Sequence, residues 1–126
     1  MDGGLADSIP IEYALEKGND KIVVVLTRNP GYRKKRALKA TEQLYKRAYK
    51  KYPNLVRAIM TRNAVYNRQM KLIEKLEEEG KIFVIRPLIP TVSRMEKDYD
   101  KLQHFYMHGN RLMKKEYQGL LEYLNE

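Results

Sequence analysis

Two short apolar runs, Ile22-Val23-Val24-Val25-Leu26 and Ile82-Phe83-Val84-Ile85, constrain this chain more than any other feature. Each is rich in β-branched residues and far too short to cross a bilayer. Each is also apolar on both faces an extended backbone presents, the pattern of a strand buried inside an α/β sheet. Helical periodicity lies between the two runs. Strands joined through helices run parallel with a right-handed crossover. Sheets of that kind usually hold roughly four or more strands, so the chain reads as part of a larger α/β layer.

Punctuation residues divide the remainder. Ser8, or Asp7 before it, is the expected cap of a helix in which Pro10 takes a first-turn position and Gly18 marks the end. Lys21 to Thr27 forms the first strand, and Arg28-Asn29-Pro30-Gly31 is turn chemistry that stops it. A helix is expected over 34–51, with Ala37, Thr41, Leu44, Tyr45, Ala48 and Tyr52 as its less polar stripe. Pro53 opens a longer helix running to Glu79, where Val56, Ile59, Met60, Tyr66, Met70, Ile73 and Leu76 recur three and four apart. Gly80 ends it, the second strand stops before Pro87 and Pro90, and two helices follow over 94–107 and 111–124, separated by Gly109-Asn110.

Several segments together resemble a known family. They are Met1-Asp2-Gly3-Gly4-Leu5-Ala6-Asp7-Ser8-Ile9-Pro10 with the helix after it, and Lys21-Ile22-Val23-Val24-Val25-Leu26-Thr27-Arg28 running on to Lys35. Lys81 to Pro87, Arg94 to Leu102 and Tyr106 to Gly109 follow in order. In this order and spacing they resemble the bacterial patatin-like phospholipases, from the Asp-Gly-Gly motif onward. The resemblance implies the C-terminal part of a three-layer α/β/α domain, helix-rich, with two short buried parallel strands. Residues 1–90 would belong to the hydrolase domain and 91–126 to a helical C-terminal extension.

The resemblance also implies a chemistry. Patatin-like enzymes are lipid acyl hydrolases with a Ser-Asp dyad, so Asp2 would be the general base that takes the serine proton. Gly3 and Gly4 would support it through positive φ and close backbone approach. No metal or organic cofactor is needed for such a reaction. The only serines here are Ser8 and Ser93, neither within Gly-x-Ser-x-Gly. The nucleophile is therefore expected outside this chain, and the chain alone is expected not to turn over ester. A lipid or carboxylic ester is the expected substrate of the parent enzyme. The expected compartment is the cytoplasm, with peripheral contact to the membrane, and the exposed edge of a two-stranded sheet would allow association of two copies.

Charge distribution suggests a second class of function. The net charge of +9 comes almost wholly from residues 28–71, which hold fourteen basic side chains and one acidic. The plainest account is a solvated helical face. Alternatively the segment is a non-catalytic basic module that binds an anionic membrane surface, where each well-placed cation adds roughly 1 kcal/mol. Lys35, Arg36, Lys39, Lys46, Arg47, Lys50 and Lys51 are the candidate contacts. Nucleic acid ranks last: Tyr45, Tyr49 and Tyr52 are interleaved with the basic residues, but no recognised nucleic-acid motif accompanies them. With no cysteine, disulfides and thiolate chemistry are excluded. His104 and His108 share a helical face without a third ligand at a recognisable spacing, so no metal site is expected.

Overall fold

The computed structural model of the chain describes residues 3–35 and 39–125. In order, it contains a 3-10 turn at Gly3–Leu5, α1 at Ile11–Glu16, β1 at Val23–Val25, α2 at Lys39–Ala48, α3 at Pro53–Glu78, β2 at Phe83–Ile85 and α4 at Tyr99–Asn125. The fold is helix-rich with two short parallel strands. The chain divides into two compact units, one of Met1–Asn19 with Arg33–Lys75, the other of Asp20–Tyr32 with Leu76–Glu126.

The first unit is helical. Val56, Tyr66, Met70 and Ile73 of the expected α3 stripe are buried, and Ile11 of α1 is buried as well. The short helix α1 ends as expected: Gly18 has φ +69°, a left-handed conformation that lets its N–H reach the Leu15 carbonyl at 3.0 Å. By contrast, α2 begins at Lys39 rather than at 34, and Ala37 lies outside the described residues. The reason lies on α3. Lys34 N–H donates to Asn67 Oδ1 (2.8 Å), Asn67 Nδ2 donates back to the Lys34 carbonyl (2.9 Å), and Asn63 Nδ2 donates to the Lys35 carbonyl (2.7 Å). Arg33 meets Glu74 through both guanidinium nitrogens. Residues 33–35 are thus laid along one face of α3, and their backbone groups bond to side chains instead of to a helix. The expected α2 stripe is also not a core face: Leu44 and Ala48 are exposed, and Thr41 and Tyr45 only half-buried.

The second unit is built on a parallel pair. Val23, Val24 and Val25 stand opposite Phe83, Val84 and Ile85, and the ladder extends through Phe83 N–H to Ile22 O and Leu26 N–H to Ile85 O. The parallel arrangement agrees with the sequence, but burial on both faces does not. Val24 is buried while Val25 is 70% exposed and Val23 is exposed too, and β2 is half-buried throughout. Among the described residues the sheet has two strands, so one face of β1 carries no covering layer.

Tyr123 closes this unit. Its buried hydroxyl accepts from Ile22 N–H (3.0 Å) and donates to Lys81 O (3.0 Å), tying the starts of both strands to α4. The turn from α3 into β2 is a Schellman motif: Lys81 N–H reaches Leu76 O (2.9 Å), Gly80 N–H reaches Glu77 O (3.0 Å), and Gly80 has φ +67°.

Where two helices were expected, α4 is one. It starts at Tyr99 because Asp98 Oδ1 accepts from Asp100 N–H (3.1 Å) and Lys101 N–H (3.2 Å), a side-chain N-cap. It runs through Gly109-Asn110 without a break. A mid-helix glycine costs only about 1 kcal/mol, less than the packing of a long amphipathic helix returns.

Candidate functional site

Asp2, the carboxylate the resemblance singles out, lies outside the described residues. The turn that follows it is well defined. Ala6 N–H and Asp7 N–H both donate to Gly3 O at 3.0 Å, and Ser8 Oγ donates to Gly4 O at 3.0 Å. Gly3 and Gly4 sit in the 3-10 turn. Among the described residues, a Cβ on Gly3 would meet nothing within 4 Å.

The expected caps serve elsewhere. The residue before α1 is Pro10, with no side-chain capping bond, and Ser8 is turned back to Gly4. Asp7 Oδ1 accepts from Gln69 Nε2 at 2.5 Å, and Gln69 Oε1 accepts from Ile9 N–H at 3.2 Å. Gln69 is 1% exposed. A buried amide must have its donor and acceptor satisfied, so this pair of bonds fastens the 6–9 segment to the middle of α3. The sequence reading overlooked Gln69. It stands three after Tyr66 and four before Ile73, a polar residue on the buried face, and that spacing was the available signal.

Beyond this anchor, depressions lie along α3 among the described residues of the first unit. One, of about 240 Å³, is lined by Leu5, Ala6 and Ser8 on one side and by Arg57, Thr61 and Arg62 among others on α3. The Nε of Arg62 is buried without a hydrogen-bond partner among the described residues. The other, of about 370 Å³, is a groove between α2 and α3, with Tyr49, Pro53, Val56 and Met60 as its apolar lining and Lys46, Lys50 and Arg57 as its cations. Arg57 and Thr61 border both depressions.

The groove sorts the expected anionic-surface residues. Lys46 and Lys50 line it together, one turn apart, with Glu42 paired to Lys46 at 2.8 Å. Arg47, Lys51 and Lys35 are exposed but do not line it. Arg36 and the side chain of Lys39 lie outside the described residues. Arg57 was missed. It lies one turn past Pro53 and beside the apolar Val56, which placed it at the same helix end as the groove.

In the second unit the loops after the two strands are stitched together. Asn29 Nδ2 donates to Pro87 O (3.0 Å) and Ile89 O (2.7 Å), and Arg28 Nη1 donates to Thr91 Oγ1 (3.2 Å). The carboxyl ends of parallel strands are where α/β folds usually bind ligands. Here a depression of about 360 Å³ holds Arg86, its ion-pair partner Glu77, and Glu116. His108 Nε2 accepts from Leu88 N–H at 3.1 Å, so one nitrogen of the histidine pair orders this loop. Among the described residues no three His, Cys, Asp or Glu side chains converge as metal ligands.

Hydrogen bonding to Glu74, reinforced by its charge, holds the Arg33 guanidinium above its usual range, against a smaller opposing effect of burial. The N–H of Lys101, followed by the Lys101 charge and the N–H of Asp100, holds the Asp98 carboxyl below its usual value.

A family model described as a domain of unknown function, DUF6363, matches residues 52–125. That is more than half of the chain, which therefore belongs to this family. No curated protein and no solved structure gives a significant match.

Proposed function

We propose that this member of the DUF6363 family is the C-terminal part of a patatin-like serine lipid acyl hydrolase, with Asp2 as the dyad aspartate and the serine contributed from outside residues 1–126. The ordered pattern from Asp-Gly-Gly through Ser-Ile-Pro to the strand ending Leu26-Thr27-Arg28 carries this reading. The parallel strand pair suits it. So does the Asp7–Gln69–Ile9 anchor, because a general base must stay within hydrogen-bond reach of its nucleophile and the turn beside Asp2 is fastened to α3. In the reaction the serine hydroxyl attacks the ester carbonyl as the aspartate takes its proton. The alcohol leaves with that proton, and water then hydrolyses the acyl-serine.

The test uses a protein that joins this chain to the segment bearing Gly-x-Ser-x-Gly. Asp2→Asn is expected to abolish hydrolysis of a short-chain nitrophenyl ester while circular dichroism stays unchanged, and an unaffected rate removes the assignment. The 126-residue chain alone is expected to give no turnover above background.

Charge favours a second reading, a non-catalytic basic helical module that binds an anionic surface through residues 28–71. Among the described residues no helix is long and apolar enough to cross a membrane, so such contact would be peripheral. Titration with anionic vesicles and with duplex DNA across a range of salt separates the two targets. Tight, strongly salt-dependent DNA binding would move nucleic acid from last place to first. Association of two copies through the exposed edge of the β1–β2 sheet is also part of the proposal, and sedimentation velocity reads it directly.

A further inference from the structure

We infer that the groove between α2 and α3 is a binding site for one single-chain anionic amphiphile, an aliphatic chain ending in a phosphate or carboxylate. Its lining is apolar where a chain would lie: Val56 is buried, Met60 half-buried, and Pro53 and Tyr49 complete the wall. Its cations stand where a head group would meet water. Glu42 neutralises Lys46, but among the described residues Lys50 and Arg57 have no carboxylate partner, and both are exposed. The surrounding segment, with fourteen basic side chains to one acidic, attracts an anion from a distance before the groove selects it. A volume of about 370 Å³ lies within the range of small-ligand sites.

Other occupants fit less well. A nucleotide base needs an aromatic face and several edge partners. Tyr49 already stacks on Tyr45, with centroids 6.0 Å apart, and the remaining wall is mostly carbon. A bilayer surface needs a convex apolar face, whereas this feature is a concavity between two helices. The depression of the second unit supplies an internal contrast: its cation Arg86 is paired with Glu77, and Glu116 adds a further carboxylate that would repel the same ligand. The site uses neither Asp2 nor a serine, so it stands or falls separately from the hydrolase reading.

The experiment titrates the 126-residue chain with decyl phosphate below its micellar concentration, followed by calorimetry and tyrosine fluorescence. One molecule is expected per chain, at least about tenfold tighter than decyl maltoside, which has the same tail and a neutral head; inorganic phosphate alone should not bind measurably. The double variant Lys50→Gln with Arg57→Gln should weaken decyl phosphate by about tenfold or more. Both side chains are exposed, so the fold is not at risk. Arg111→Gln on α4 should bind as wild type. Equal affinity for the neutral amphiphile, an unaffected double variant, many molecules bound per chain, tighter binding of ADP, or binding to anionic vesicles without binding of the monomer would each overturn the assignment.

Discussion

The two compact units of this chain solve the same problem by different means. The first carries fifteen basic and six acidic side chains, the second ten of each, so the whole net charge of +9 belongs to the first. Their long-range ties differ as well. In the first unit, side-chain amides on α3 capture backbone from elsewhere: Gln69 holds Ile9, while Asn67 and Asn63 hold Lys34 and Lys35. In the second, a backbone ladder does most of this, and the Asn29 amide and the Tyr123 hydroxyl complete it. The middle of a helix such as α3 has no free backbone groups to offer its neighbours, because its N–H and C=O groups are spent within the helix. Side-chain amides therefore do the joining.

That contrast can be broken in order of expected effect. Ile73 has no exposed surface, so Ile73→Ala should cost about 2–5 kcal/mol in urea denaturation. An unmoved midpoint would mean that the α3 stripe is not the centre of the first unit. Gln69→Leu should cost about 1–3 kcal/mol, since it leaves Asp7 and the Ile9 N–H without their buried partner. Tyr123→Phe should cost about 1 kcal/mol, because the parallel ladder remains when the hydroxyl is gone. A reversed order of those two would invert the assignment of amide stitching to one unit and ladder to the other.

Salt sharpens the electrostatic half of the comparison. Raising ionic strength about tenfold shortens the screening length about threefold and relieves self-repulsion only where charge is unbalanced. Amide exchange should therefore slow in α2 and the first half of α3 and stay constant in β1 and β2. Equal slowing in both units would show that the charge imbalance has no energetic consequence.

The smallest effect belongs to the α4 cap. The folded Asp98 carboxyl titrates below its unfolded value, so its contribution is present above the ordinary carboxylate range and is lost as pH falls through the folded value. Asp98→Ala should lower the thermal midpoint at neutral pH, with the gap to wild type narrowing in acid. A gap that widened in acid would contradict the N-cap.

Much of the fold was legible along the chain. Gly18 and Gly80 sit at helix ends with positive φ, as their positions after periodic segments implied. Five members of the α3 stripe are buried, and both apolar runs are strands in parallel. The site was less legible. Lys46 and Lys50 were visible as a pair one turn apart, yet what made them a groove was Arg57 and Met60, which reach it from another helix.

What the sequence by itself determined here is what neighbouring residues decide among themselves: where helices stop, which residues alternate or recur, and how charge is distributed. Backbone sterics at glycine and the period of apolar residues act over a few positions and need no partner. Tertiary structure alone decided the late start of α2, the unbroken course of α4, the bare face of β1, and the partner of Asp7. The first of these turns on Asn67, 33 residues from Lys34, and the last on Gln69, 62 residues from Asp7. A buried donor or acceptor must be satisfied by whatever the fold brings to it, and that demand outweighs local propensity at these positions.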